Sequence, residues 1–243
     1  MKLITLNTWG GRIHSPLLKF FEENKDVDVF CLQEIYHNSK TALIGSELHK
    51  DAFNLFNEIK EKLSHHYGYF RPSVGETYGL SIFVKKDIQV EEEGDIQIYD
   101  VPNYVSGGNH PRNLQWINIK KNDFALTVVN VHGLWNGNGK TDTEDRLIQS
   151  ENIIRFIKTL NNPFILCGDF NLLPDTESLR KFEQFGLLNL VKENNITSTR
   201  TSLYKKEHRF ADYVFVSKGI EIKEFKVLPD EVSDHSALLL DFE

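Results

Sequence analysis

The hydrophobic pattern alternates between strand-like and helix-like segments from the first residues onward. Lys2–Asn7 is apolar and predicts an opening strand, and Val27–Gln33 is a near-continuous apolar run typical of a strand buried on both faces. Between them, Ser15 and Pro16 predict a helix that runs through Phe21, with the serine as N-cap and the proline at the first helical position. The chain therefore opens as strand, helix, strand.

A second helix is predicted over Glu47–Leu63. Phe53, Phe56, Ile59 and Leu63 recur there at helical spacing. A stripe of this kind packs against a core, so we assign no chemistry to these aromatic residues.

The middle of the chain is rich in strand-like segments. Four segments are predicted to be extended: Gly79–Val84, Ile88–Tyr99, Arg112–Lys120 and Phe124–His132. Thr141-Asp142-Thr143-Glu144 then matches a capping box, which predicts a helix to about Leu160. A short strand over Pro163–Cys167 and a short helix after Pro174 follow.

Three closing strands complete the pattern: Ala211–Ser217, Ile220–Leu228 and His235–Phe242. Two runs of strands with interspersed helices predict an α/β (α+β) architecture in which two sheets pack face to face with helices outside. We find no internal repeat, low-complexity tract or linker, so residues 1–243 are predicted to form one domain.

Composition and charge narrow the functional classes. The 243 residues are 40% hydrophobic and 26% charged, which is typical of a globular protein, and the formal net charge is −7. A basic surface that coats DNA is therefore absent on average, although metal bound to carboxylates can create local positive charge for a nucleic-acid substrate.

The terminus and the cysteines predict a cytoplasmic protein. The apolar stretch at the N-terminus is too short and too interrupted for a signal peptide or a membrane anchor. The two cysteines, Cys31 and Cys167, both lie in apolar strand-like segments, so we expect buried thiols rather than a disulfide framework.

Polar residues with metal-binding or catalytic chemistry recur where predicted strands begin or end. They are Asn7, Glu34, His132, Asp169, Asn171, Asp212, Asp234 and His235. Side chains at strand ends can converge on one edge of a sandwich, and carboxylate and amide oxygens are the ligands that Mg²⁺ takes. Each residue taken alone also suits a turn, a cap or a solvated strand end.

Six segments occur in an order that resembles the endonuclease/exonuclease/phosphatase superfamily: LNTWGG, CLQE, NVHG, GDFNLLPD, ADYVFVS and VSDHSALLL. Each segment is weak evidence alone, but together they span nearly the whole chain. The resemblance implies a four-layered αββα sandwich with two mixed β-sheets face to face and helices outside. It also implies a Mg²⁺-dependent hydrolase of phosphoester bonds, with Mn²⁺ as a possible substitute.

The resemblance also implies metal ligands and groups that act on the water and the phosphate. Glu34 is the principal Mg²⁺ ligand, with Asn7 beside it and Asp234 close to the metal. Asp169 orients or deprotonates the attacking water, and Asn171 donates a hydrogen bond to the phosphate.

Two histidines complete the implied catalytic set. His235 contacts the phosphate and stabilises or protonates the developing charge, while Asp212 accepts a hydrogen bond from its other ring nitrogen. Such a carboxylate fixes the tautomer of the imidazole and raises its pKa. His132 occupies the position of a second histidine or tyrosine near the scissile phosphate.

Four residues keep two interpretations each. Arg112 resembles a phosphate-contacting position or is a surface arginine, and Trp135 is a stacking platform for a base or sugar or a loop residue folded over the core. Glu76 is either the acidic partner of His132 or a solvated loop residue. Arg146 is expected to be an exposed or paired helix residue.

The resemblance to abasic-site endonucleases is incomplete. Trp9 stands where those enzymes carry an aspartate, and His132 stands where they carry a tyrosine. The leading hypothesis is therefore a phosphodiesterase, either a nuclease or an enzyme for a small diester, that is expected to be a monomer. The alternatives are a phosphomonoesterase acting on a small metabolite or lipid head group, and an inactive binding module on the same fold.

Overall fold

The computed structural model describes residues 1–41, 51–102 and 109–243, in which two six-stranded mixed sheets form the framework. The first sheet contains, in spatial order, β11 (Ile222–Val227), β12 (Leu238–Phe242), β1 (Lys2–Asn7), β2 (Val29–Tyr36), β4 (Tyr78–Lys85) and β3 (His66–Val74). Within it, β1 and β2 are parallel and the other neighbours are antiparallel.

The second sheet repeats this plan. Its strands, in spatial order, are β5 (Gln89–Tyr99), β6 (Arg112–Lys121), β7 (Phe124–His132), β8 (Phe164–Asp169), β10 (Asp212–Val216) and β9 (Leu188–Asn189). Here β7 and β8 are the parallel pair. Each sheet therefore has a parallel pair whose carboxyl ends lie at one edge.

Helices cover the outer faces of both sheets. The helices are α1 (His14–Glu23), α2 (Leu55–Lys62), α3 (Glu144–Ile157), α4 (Glu177–Gln184) and the short α5 (Leu190–Glu193). The first two pack on the first sheet, where Phe20 and Ile59 meet Phe30. Ile153 and Phe182 of α3 and α4 belong to the core cluster of the second sheet. The predicted four-layered αββα sandwich is thus confirmed.

Side chains alternate between the two faces of each strand, and those on the inner face fill the space between the sheets. Leu3 and Cys31 of the first sheet join Leu126 and Cys167 of the second in one buried cluster. Both cysteines are free buried thiols, as predicted. None of the helices in the described ranges is long and apolar enough to cross a bilayer.

The two predicted N-terminal helices differ from the observed ones. The first begins at His14, after Ile13, so Ser15 is not its N-cap and Pro16 lies at the third helical position, where no backbone donor is needed. The second helix begins only at Leu55. Residues 47–50 of its predicted range lie outside the described residues, and Ala52 instead donates its backbone N–H to Gly10.

The pattern also missed β3, β9 and α5. The sequence of β3 contains Gly68 and Pro72, which argue against a strand interior, but β3 is an edge strand that pairs only with β4. The last strand begins at Leu238 rather than at His235, because His235 forms only an isolated bridge to Arg200.

The predicted capping box is wrong in its register. Thr143, not Thr141, is the N-cap of α3 and accepts from the N–H of Arg146. Asp142 caps the next helix instead, because its carboxylate accepts from the N–H groups of Glu177 and Ser178. The helix ends at Ile157, short of the predicted Leu160.

Arg146 is the largest departure from the expected surface position. Its side chain is fully buried and donates to the carbonyls of Leu134, Gly139 and Thr141. These bonds satisfy the guanidinium and hold the loop between β7 and α3 against the helix.

Gly168 offers a test of how closely β7 and β8 must approach. Its φ is +135°, and a Cβ there would lie 2.0 Å from the carbonyl oxygen of Val131. We expect Gly168→Ala to destabilise the protein by more than ~3 kcal/mol, because steric overlap adds to a disfavoured backbone conformation. Gly137→Ala is the control, since Gly137 has φ +76° with open space around it and should lose only about 1–2 kcal/mol. Urea unfolding measures both, and equal losses would contradict the steric explanation.

Candidate active site

The predicted catalytic residues meet at the edge of the sandwich where the parallel strands end. Asn7, His132 and Asp169 are the last residues of β1, β7 and β8, and Asp212 is the first of β10. In the second sheet, Asp169 is in register with both His132 and Asp212. Strand pairing therefore sets three of these side chains beside one another.

Glu34 reaches the same edge through an irregularity in β2. Gln33 points between the sheets, where its amide donates to Asn130, so regular alternation would turn Glu34 to the outer face. The register of β2 with β4 shifts between Leu32 and Ile35, and Glu34 has a φ of +59°. A bulge with left-handed backbone thus redirects the carboxylate to the inner edge.

Asn7 connects the two sheets at this edge. Its Nδ2 donates to Glu34 Oε1 at 3.0 Å and to Asp169 Oδ2 at 2.9 Å. Its Oδ1 accepts from the backbone N–H of Trp9 at 3.0 Å, where Trp9 has a φ of +52°. One buried amide therefore orients two carboxylates and the turn that follows β1.

Asp169 is a buried carboxylate surrounded by positive charge. Burial acts to raise its pKa, but His235, His132, Arg200 and Lys140 outweigh burial and hold the pKa far below its usual value. A carboxylate that stays ionised in this way is a strong hydrogen-bond acceptor and a weak base. This arrangement suits the orientation of a water molecule better than its full deprotonation.

Asn171 lies in a tight turn directly after Asp169. Its backbone N–H donates to Asp169 Oδ1 at 2.8 Å, and its φ is +54°. Its side-chain amide donates to the carbonyl of Gly133 at 3.3 Å, which leaves the amide at the wall of the cleft.

His235 and Asp212 form a buried carboxylate–imidazole pair. His235 Nδ1 lies 2.8 and 2.9 Å from the two carboxylate oxygens of Asp212, and Nε2 lies 3.6 Å from Asp169 Oδ2. Burial and Arg200 lower the pKa of His235, but the surrounding carboxylates, Asp212 foremost, give a net upward shift. The pair therefore favours a charged ring with Nε2 facing the cleft.

His132 has the opposite electrostatic environment. Burial and the Arg112 guanidinium hold its pKa well below the usual value. Arg112 donates to Nδ1 at 3.1 Å, so the neutral ring carries its proton on Nε2, 3.7 Å from Asp169 Oδ2. Glu76, the acidic partner considered from sequence, is exposed on the loop between β3 and β4.

Asp234 brings a fourth carboxylate to the site. Its Oδ2 accepts from Arg200 at 2.9 Å, and Oδ1 lies 3.8 Å from His235 Nε2. Arg200 was not predicted from the sequence, because this residue lies in a loop outside the six motifs.

A cleft of about 410 Å³ opens above these groups. Eight of the predicted site residues line it: Glu34, Arg112, His132, Trp135, Asp169, Asn171, Asp234 and His235. Asn7 and Asp212 lie behind this wall as hydrogen-bond partners of Glu34, Asp169 and His235. Trp135 is 39% exposed, so it is not folded into the core. The cleft also includes Lys140 and Tyr204, which the sequence did not signal.

The chemistry of the cleft fits a divalent cation. Within the described residues, Oδ1 of Asp234 is buried and has no hydrogen-bond partner, an arrangement that a cation would satisfy. Loss of hydration raises the pKa of Glu34, to which the charges of Asp234 and Asp169 add, so this carboxylate also favours a positive ligand.

A second group of ligand atoms lies deeper in the site. Asp169, Asp212 and His235 have donor atoms within 4.8 Å of one another, so this buried group could also bind a metal. The bonds from His235 Nδ1 to both oxygens of Asp212 favour the histidine pair there, since a metal would have to replace them.

The fold is that of a family of phosphoesterases. Residues 4–235 match the model of the Endonuclease/Exonuclease/phosphatase family, and the chain belongs to that family. Members of this family are hydrolases of phosphoester bonds that typically depend on a divalent metal.

Several solved structures share this fold over nearly their whole length. A mannosyl-6-phosphatase of Bacteroides thetaiotaomicron VPI-5482 is 20% identical, with a TM-score of 0.76 over 100% of this chain and 99% of that one. A functionally unknown protein of Enterococcus faecalis V583 is also 20% identical, with a TM-score of 0.75 over 100% and 99%. The human Nocturnin catalytic domain, with bound sulfate, is 17% identical, with a TM-score of 0.67 over 100% and 93%. No protein with a curated description matches significantly.

The His235–Asp212 pair generates a prediction about pH. Asp212→Asn removes the carboxylate that most strongly raises the pKa of His235, so this pKa should fall. If activity needs the charged ring, the alkaline loss of activity should move to lower pH, while Mg²⁺ affinity stays nearly unchanged. NMR titration of the histidine rings and a pH–rate profile measure both effects. An unshifted profile with a large loss of Mg²⁺ affinity would place Asp212 among the metal ligands.

Proposed function

We propose that this chain is a Mg²⁺-dependent phosphoesterase that hydrolyses a phosphodiester bond by in-line attack of water. The observation that carries the proposal is the convergence of Glu34, Asp169, His132 and His235 on one cleft. Carboxylates for a metal, an acceptor for water and donors for phosphoryl oxygens are the groups that this reaction needs.

Glu34 and Asp234 would hold the metal, with Asn7 beside them. Their oxygens are ligands of the kind that Mg²⁺ prefers, and Mn²⁺ can substitute at such a site. When bound, the metal supplies a positive charge that polarises a phosphoryl oxygen and stabilises the leaving oxygen. Asn7 also orients Glu34 through its 3.0 Å hydrogen bond.

Asp169 holds the attacking water. Its Oδ1 is engaged by the N–H of Asn171, and its Oδ2 faces the nitrogens of Asn7, His132 and His235. This framework fixes the carboxylate, so that water bound to it is oriented before the reaction. The water oxygen bonds to phosphorus as the ester P–O bond breaks; the water releases one proton to solvent, and the leaving oxygen takes up one proton to become the alcohol.

The two histidines donate to the phosphoryl group in different charge states. His235 is favoured in its charged form and stabilises or protonates the developing charge, whereas His132 donates from a neutral Nε2–H. Asn171 adds an amide donor at the wall of the cleft. Arg112 acts behind His132 by fixing its tautomer, and it also lines the cleft.

The second candidate is hydrolysis of a phosphomonoester. The cationic groups of the cleft favour it, because Lys140 and Arg200 accompany Arg112 on its walls and a monoester carries more charge than a diester. The B. thetaiotaomicron relative is a mannosyl-6-phosphatase. An inactive binding module is disfavoured, since all eight groups implied by the motifs are present and hydrogen-bonded around one site.

The proposed metal ligands make activity depend on a divalent cation. EDTA should abolish activity, and Mg²⁺ or Mn²⁺ should restore it. Glu34→Gln should weaken the response of the rate to Mg²⁺, because a neutral amide coordinates Mg²⁺ poorly. Glu76→Gln, at an exposed glutamate, is the matched control and should behave as wild type. Rates measured across a Mg²⁺ titration test this. Full activity after exhaustive chelation, with tightly bound zinc found by elemental analysis, would refute it.

Asp169 should be needed for turnover but not for metal binding. Asp169→Asn keeps the shape but loses the charged acceptor for water, and we expect the rate to fall ~10²–10⁴-fold. Asp175→Asn is the control, because Asp175 belongs to the same motif and is exposed. Single-turnover rates and calorimetric Mg²⁺ titration separate the two effects. Retention of more than about a tenth of the wild-type rate would remove Asp169 from this role.

Cleavage at abasic sites should be slow compared with hydrolysis of a small or single-stranded diester. Trp9 and His132 replace the acidic residue and tyrosine of the abasic-site enzymes, and the net charge of −7 opposes a broad duplex interface. Initial rates on an abasic duplex, single-stranded DNA and a small diester, at matched salt and Mg²⁺, provide the comparison. Selective incision at the abasic site would contradict the expectation.

A further inference from the structure

Two buried cations line the cleft and have no role toward the substrate in the chemistry proposed above. Lys140 lies in the loop between β7 and α3, and Arg200 lies in the segment between α5 and β10. They are only 3% and 7% exposed, yet both border the cleft that contains Glu34 and Asp169. Buried charges of one sign are unfavourable unless an anion compensates them.

The positive charges of Lys140 and Arg200 are neutralised to different degrees by their partners in the protein. Arg200 forms an ion pair with Asp234 at 2.9 Å. Lys140 donates to a neutral acceptor, the carbonyl of Phe210, at 2.7 Å, and within the described ranges no carboxylate oxygen lies within 4.0 Å of its Nζ. Burial and the charge of Arg200 lower the pKa of Lys140 to about 8. Asp169, Asp212 and Asp234 offset this lowering only in part, so an anion in the cleft would add to the compensation of Lys140.

The fold holds the two cations in place. The centroid of the Tyr204 ring lies 4.2 Å from the Arg200 guanidinium carbon and 5.3 Å from Lys140 Nζ, so one aromatic ring interacts with both cations. Arg146, fully buried, donates to the carbonyls of Gly139 and Thr141 on either side of Lys140. The lysine is therefore positioned by a supporting shell rather than placed on a free loop.

We propose that Lys140 and Arg200 form an anion-binding wall that selects substrates bringing two negative charges into the cleft, instead of the single charge of a simple phosphodiester. This inference rests on the proposed function. The second charge comes from one of two sources that share the same chemistry: a terminal phosphomonoester at the scissile position, or a further phosphate beside a scissile diester. At neutral pH a terminal phosphate carries about 1.5 to 2 negative charges.

The test compares three substrates with Mg²⁺ at neutral pH. They are phenyl phosphate, dithymidylate with its single diester, and dithymidylate that carries an additional terminal phosphate. Wild type should prefer at least one doubly charged substrate over plain dithymidylate. Lys140→Gln should lower kcat/KM for that substrate by about 10- to 100-fold more than it lowers kcat/KM for plain dithymidylate.

Two further variants separate charge recognition from structural support. Lys140→Arg should restore the preference for two charges, because it restores the cation. Lys218→Gln is the matched control, because Lys218 is exposed. It follows the last residue of β10, whereas Asp212 is the first residue of that strand. Thermal unfolding checks that each variant is folded. A loss by Lys140→Gln that is equal for all three substrates would overturn the proposal.

Binding provides a readout that does not depend on turnover. Calorimetric Kd values for inorganic phosphate and for dimethyl phosphate should differ in wild type, and Lys140→Gln should weaken only the former by about 10-fold or more. If no phosphoester is hydrolysed while phosphate binding still depends on Lys140, the proposed activity fails and the anion-binding wall stands. Identical Kd values for inorganic phosphate in wild type and Lys140→Gln would refute the wall directly.

Discussion

Four carboxylates lie together at one edge of the sandwich. The site depends on partners that offset their negative charges. Glu34, Asp169, Asp212 and Asp234 lie close enough to influence one another, and such a group cannot stay ionised without partners. Each carboxylate has a hydrogen-bonding partner, and two of them share one. Asn7 donates to Glu34 and Asp169, His235 pairs with Asp212, and Arg200 pairs with Asp234. The distribution of these partners separates the chemical roles of the four groups.

The two histidines illustrate this separation. Both are buried in one cleft, yet the pKa of His235 is raised and that of His132 is lowered. The difference arises from the neighbour of each Nδ1 atom: a carboxylate for His235 and a guanidinium for His132. One site thus contains a ring that favours a charge and a ring that excludes it, which is the division that acid–base chemistry on a phosphoryl group can use.

Left-handed backbone conformations occur where the strands deliver these groups. Trp9, Glu34 and Asn171 have positive φ values of 52°, 59° and 54°, each within or directly after a strand that contributes to the site. The regular sheets behind them, filled by Leu3, Cys31 and their neighbours, provide the packing that can hold such conformations. The sandwich therefore acts as a rigid support for a small irregular edge.

Local patterns along the chain were enough to predict most of the elements and the chemical groups of the site. Alternating apolar periodicity is a local property, and it predicted most strands and an α/β architecture, while the resemblance implied the four layers. The order of six motifs predicted the family, and its candidate residues lie in or directly behind one cleft. Local patterning failed where an edge strand tolerates Gly68 and Pro72, because exposure on one side relaxes the usual preference.

The connections between these residues follow from the three-dimensional fold and could not be read from local patterns. The bulge that turns Glu34 inward, the amide of Asn7 between two sheets and the guanidinium on His132 all depend on strands distant in sequence. Lys140 and Arg200 lie in loops outside the motifs, and the burial of Arg146 depends on the loop that it supports. Charges interact through space rather than along the chain, so the protonation states of the site follow from the fold.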